Sequence, residues 1–200
     1  MTLQELVSAV RENLQDPAGT RWTDQLITRY LNEAQKMLAP FSYSLTYWET
    51  AFAAGQDEVG RPADLLVPNR VTFRVDNDEW ELVRQRRMPD TPATLQGSPS
   101  TVYFLSDSIH LRPVPSRAGT LRVSGTQRPP DLVYSSDEPS MVDAEPVLIA
   151  YATWVCLAAD VDPAAQIWRD LFEQRRREWM IFDSMRNPQS SEIRSSWWWS

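Results

Sequence analysis

The chain is poor in the residues on which most enzymes and metal proteins depend. It carries one cysteine, Cys156, and one histidine, His110, in 200 residues. A single thiol excludes an internal disulfide and any cysteine-rich zinc site. A lone imidazole has no second histidine with which to hold a metal, so a sheet or surface role is expected for it. Glycine is scarce: Gly19, Gly55, Gly60, Gly97, Gly119 and Gly125 are scattered and form neither G-x-G-x-x-G nor a Walker pattern, which leaves no phosphate-cradling loop. Positive charge is in deficit, at 20 Lys+Arg against 27 Asp+Glu for a formal net charge of −7. That balance argues against a protein that grips nucleic acid by neutralising phosphates. No apolar run approaches the ~20 residues of a membrane span. Met1 to Leu14 contains Glu5, Arg11 and Glu12 and no apolar h-region, so no secretory signal is expected. The expectation is a cytosolic protein, or one assembled there, with no cofactor and no metal.

What the chain does have is tryptophan and proline. Nine tryptophans raise the odds that some indoles serve interfaces rather than one core, and fifteen prolines mark many turns. Its length suits one domain, or one domain with a substantial insertion.

The organising stretch is Trp22 to Leu38. Thr23 is a good N-cap, with Trp22 at N′ and Ile27 at N4 in the positions of a hydrophobic staple. Leu26, Ile27, Tyr30, Leu31, Ala34, Met37 and Leu38 fall on one helical stripe, and Pro40 stops the helix. An earlier helix opens with Thr2-Leu3-Gln4-Glu5, a capping-box spacing, and carries Leu3, Leu6, Val7, Val10 and Leu14 on one face. Asp16-Pro17-Ala18-Gly19 ends it.

From Ser42 the period changes to that of strands. Tyr43 to Phe52 reads as a strand. Arg70 to Val75 and Trp80 to Arg84 flank a turn at Asp76-Asn77-Asp78-Glu79, and Thr101 to Leu105 and Ile109 to Arg112 flank Ser106-Asp107-Ser108. Leu121 to Arg128 is a further strand closed by Pro129-Pro130, and Gln85 to Pro99 reads as an exposed loop. Helices then return. Asp143 is placed to cap a helix with Pro146 in its first turn, and Val147 to Ala159 is apolar nearly all round, as a central helix would be. Asp162 and Pro163 open a last helix reaching about Arg186, with Ile167, Trp168, Leu171, Phe172, Trp179 and Phe182 as its apolar side. Asn187-Pro188 stops it.

The expected architecture is α+β: a bundle of about four helices, two N-terminal and two C-terminal, with a small antiparallel β-sheet domain inserted. The bundle takes residues 1–41 and 140–186 and the β-rich region 42–131. A polar, flexible tail, 187–200, carries Trp197-Trp198-Trp199.

Trp22-Thr23-Asp24, paired apolar residues, then Tyr30-Leu31-Asn32-Glu33-Ala34 resembles the opening helix signature of tailed-bacteriophage head–tail adaptor (connector) proteins. Later landmarks resemble the same family: Val102-Tyr103-Phe104 with Ile109 to Pro115, Leu121-Arg122-Val123 through Arg128-Pro129-Pro130-Asp131-Leu132, and Glu145 to Ala152. The likeness spans residues 1 to about 186, by order of elements more than by identity. One departure falls at Val59-Gly60-Arg61-Pro62-Ala63-Asp64-Leu65, where Arg61 replaces the apolar residue of a Leu-Pro-x-Asp strand end. The resemblance implies a structural virion protein rather than an enzyme. It would form a ring, usually of twelve copies, docked beneath the portal protein and leading to tail or neck proteins. Genomic DNA would pass through the lumen without specific binding, and the protein would sit at the neck of the virion after assembly in the host cytoplasm.

Residues with other possible chemistry are weighed beside this. Cys156 lies on the most apolar helix and reads as inert core. Asp76 to Glu79 resembles a calcium loop, but its sixth position is Glu81 rather than Gly and its twelfth is Arg87 rather than Glu. Asp160 and Asp162 are explained by capping. Arg175-Arg176-Arg177 has two readings: a solvated face paired with Glu173 and Glu178, or a contact with a neighbouring subunit or the portal. Trp197, Trp198 and Trp199 likewise either fold back on their own chain or anchor another one. Alternatives to the connector are a neck or tail-completion protein further down, an enzyme without a legible nucleophile–base pair, and a membrane-surface protein, for which only Arg194 lies near the tryptophans.

Overall fold

The computed structural model describes residues 1–42, 45–88 and 95–186. These fall into two compact units, one from the described residues of 1–44 and 128–200 and one from Leu45–Gln127.

The first unit is helical. α1 (Leu3–Asn13) begins in a complete capping box: the Thr2 side chain accepts from Glu5 N–H, and the Glu5 carboxylate accepts from Thr2 N–H at 2.8 Å. α2 (Asp24–Leu38) is capped by Thr23, whose hydroxyl accepts from Leu26 N–H, with Trp22 and Ile27 both buried beside the entry. α3 (Glu145–Ala159) is apolar all round and packs against α1, α2 and α4 (Ala165–Arg186). Leu6, Val10, Ile27, Leu31, Leu148 and Cys156 meet in one core. Two caps differ from expectation. Asp143 lies one residue early: the cap position is Ala144, which makes no side-chain cap bond, while Asp143 pairs with Arg186. Asp162 serves the turn before α4, accepting from Ala164 N–H at 2.8 Å.

The second unit corrects the expected small antiparallel sheet on a helical bundle. Among the described residues it holds ten strands in three sheets. The first sheet has the order β1 (Thr46–Phe52), β10 (Gly119–Gln127), β3 (Leu65–Val75), β4 (Asp78–Glu81) and is antiparallel throughout. The second runs β2 (Glu58–Gly60), β8 (Ser108–Arg112), β7 (Thr101–Phe104), β5 (Val83–Gln85), with the β5–β7 pair parallel. β6 (Gln96–Gly97) and β9 (Val114–Pro115) form a short parallel ribbon. The physical reason for the correction is burial. Phe52, Phe73 and Leu121 from one sheet and Val102, Ile109 and Leu111 from the other share a single core, so this unit has an interior of its own. Both expected hairpins form, Val75 to Asp78 and Phe104 to Ser108, with Asp76 in the left-handed region at φ 52°. Gly125 is required where β10 crosses β3, because a Cβ there would stand 2.5 Å from the Val67 carbonyl oxygen.

The departure at Arg61 has a structural account. Its guanidinium donates to the carbonyls of Leu65 at 2.8 Å and Leu66 at 3.2 Å, so it ties down the start of β3. Asp64 accepts from the Trp48 indole at 3.0 Å and from Gln127 at 2.9 Å.

Candidate interaction surface

α4 is built to cover α3 with one side and leave the other open. Phe172, Trp179 and Asp183 are its buried residues. Phe172 stacks on Trp154 with ring centroids 5.7 Å apart and meets Tyr151 edge-on. The Trp179 indole donates to the Val142 carbonyl at 3.1 Å. Two residues expected on the buried side are not buried: Ile167 is 69% exposed and Phe182 65% exposed. Ile181 and Met185 are exposed as well. A 22-residue helix carrying apolar residues on more than one face cannot bury them all against a single partner helix.

Beside the last turns of α4 lies a groove of about 620 Å³. Its apolar lining comes from Pro146, Val147, Trp179, Phe182 and Met185, and its rim carries Arg175, Glu178, Asp143 and Arg186. The rim charges are paired: Arg175 Nη1 with Glu178 Oε2 at 3.4 Å, and Arg186 Nη2 with Asp143 Oδ2 at 2.5 Å.

Of the three arginines singled out in the sequence, Arg175 alone lines this groove. Arg176 pairs with Glu173 at 2.8 Å, while its Nε is buried without a partner among the described residues, and Arg177 donates to the Glu173 carbonyl at 3.2 Å. The structure therefore spreads the cluster round the helix instead of gathering it into one patch. Trp197, Trp198 and Trp199 lie outside the described residues. The groove itself was missed by sequence reasoning. Its signal was the pair Phe182 and Met185, three apart and one turn from the end of a helix whose core contacts stop at Asp183.

The other chemical candidates sit in structural surroundings. His110 is buried, and Ser108 Oγ at 3.0 Å and Glu58 Oε2 at 3.3 Å both meet its Nε2, while its Nδ1 has no partner among the described residues. A relay needs the acid and the hydroxyl on opposite ring nitrogens, which this arrangement does not provide. Burial pushes the Cys156 thiol up to about 12, far from a reactive thiolate. Asp76 pairs with Arg117 at 2.7 Å, and Glu79 accepts from the Thr72 hydroxyl at 2.6 Å, so two of the three acids of that turn are engaged within the sheet unit. No group of three or more metal-ligating side chains occurs among the described residues. None of the described helices is long and apolar enough to cross a membrane.

Residues 1–192 match the family model of the SU10 adaptor protein. The three tryptophans at 197–199 lie beyond that match. No curated protein matches the chain.

Proposed function

The chain belongs to the SU10 adaptor protein family, a phage head–tail adaptor family, and from that premise we propose that it forms the ring docked beneath the portal. The family is structural, not an enzyme class, and its members are components of the virion that join other head and tail proteins. The observation that carries the finer reading is the extent of the match, which runs through the helical unit and the sheet unit alike.

On this reading the ring, of twelve copies by family resemblance, leads from portal to tail or neck proteins, and DNA passes through its lumen. A net charge of −7 suits such a passage, because phosphates bound along the wall would hold back a sliding duplex. Trp197, Trp198, Trp199 and the arginines Arg175, Arg176 and Arg177 are the residues assigned to partner contacts.

Native mass measurement of the purified protein with and without its portal tests the reading. The expected result is a cyclic complex that forms or is stabilised on the portal. A chain that ignores portal but joins a tail protein belongs one layer further down, and a monomer indifferent to both overturns the ring.

A further inference from the structure

We infer that the groove beside the last turns of α4 is the seat of the chain's own Trp197-Trp198-Trp199, occupied in cis while no partner has claimed the triplet. The groove presents large apolar side chains that no other described residue covers: Phe182 is 65% and Met185 70% exposed, above a floor formed by Val147 and Trp179. Its volume of about 620 Å³ lies within the range that takes up an aromatic ligand. The guanidiniums of Arg175 and Arg186 stand at the rim, where they can lie over indole faces.

The occupant follows from where the chain goes next. Residues 187–200 continue from Arg186, itself part of the groove rim. Between Arg186 and Trp197 the chain can reach roughly 35 Å when extended, so a return to a groove at its own point of departure needs no stretching. Pro188, Ile193 and the three tryptophans are the apolar residues of that stretch, and each tryptophan carries on the order of 150–250 Å² to be covered. A short covalent tether supplies its end at millimolar effective concentration, far above that of a second copy in dilute solution. This inference stands apart from the ring reading, because it concerns the chain before any partner is present.

The test is cysteine cross-linking in the full chain at sub-micromolar concentration. Cys156 is buried with a raised pKa, so it gives a silent background. Glu178→Cys with Ser196→Cys is the first pair, and Met185→Cys with Ser196→Cys is a second in case the first disturbs the helix. The expected product is a monomer with an internal disulfide, its yield lowered at least fivefold when all three tryptophans are changed to Ala. Three outcomes overturn the inference: cross-linked dimers as the main product, no cross-link with either pair, or a yield that does not respond to removal of the indoles.

Discussion

Asn32 on α2 and Leu132 on the returning chain exchange two hydrogen bonds: the side-chain amide donates to the Leu132 carbonyl at 3.0 Å, and Leu132 N–H donates to the amide oxygen at 2.8 Å. The two residues are 100 positions apart and belong to two of the motifs that carry the adaptor resemblance. A primary amide is the side chain that offers donor and acceptor at this spacing, which gives the Asn of Tyr-Leu-Asn-Glu-Ala a physical role. Leu132 is buried, so its backbone groups cannot turn to water instead. Asn32→Ala is expected to destabilise the helical unit by about 1–3 kcal/mol, measured by urea unfolding. Asn32→Asp should lose a similar amount, since a carboxylate keeps the acceptor but faces the Leu132 carbonyl with no proton to give. Stability unchanged in both variants would remove the clamp from the account of the fold.

A second prediction concerns pH. The Asp16 carboxylate accepts from the N–H groups of Trp22, Arg21 and Thr20 and from the Thr20 hydroxyl. These bonds, Trp22 first, hold its pKa down to about 2 against an ordinary 3.8. A folded-state pKa that is depressed gives stability that is fully present above the unfolded value and lost as pH falls through the folded one. Asp16→Asn should therefore lower the Tm by several degrees near neutral pH, with the gap from the parent protein closing between about pH 4 and pH 2. A gap that stays constant across that window would mean the loop is not held by the ionised carboxylate.

The two separate cores predict that the units can be parted. Replacing Leu45–Gln127 with a short linker removes the sheet unit and leaves the residues of the helical core in place. Far-UV circular dichroism of the product should retain the helical signal of four helices with a cooperative thermal transition. Loss of helix on this deletion would show that the helical unit depends on the sheets.

Helix positions were legible because capping and the 3.6-residue stripe act over a single turn. Thr2 with Glu5, Thr23 with Trp22, and the apolar run after Pro146 each carry their own signal. The hairpins were legible for the same reason, at Asp76-Asn77 and at Ser106-Asp107. What the sequence hid is non-local. β2, β5, β6 and β9 are three residues or fewer, too short for a period of two to show. Nothing in Val83–Gln85 announces that it pairs parallel with Thr101–Phe104 and adds an edge to a second sheet. Hence the chain read as one small sheet where there are two facing a common interior. The groove was hidden similarly: a helical stripe shows which residues are apolar, not that Phe182 and Met185 stay exposed beside the first turn of α3.

The last prediction joins the tryptophan triplet to the groove through competition. If Trp197, Trp198 and Trp199 anchor the adaptor on the portal and rest in their own groove beforehand, the portal must draw them away. Apparent affinity is then the intrinsic affinity reduced by the fraction of tails that are free. Two variants should move binding in opposite directions. Changing the three tryptophans to Ala removes the anchor and should weaken attachment to purified portal by roughly tenfold or more, in line with buried tryptophans at interface centres. Phe182→Ser leaves the anchor intact but spoils its seat, and should strengthen attachment by about two- to fivefold. Phe182 is 65% exposed, so the fold should tolerate the change. Titration calorimetry or surface-immobilised portal would read both. Weakening by both variants would make the groove part of the portal contact itself, and attachment indifferent to loss of the tryptophans would leave the triplet without a role in docking.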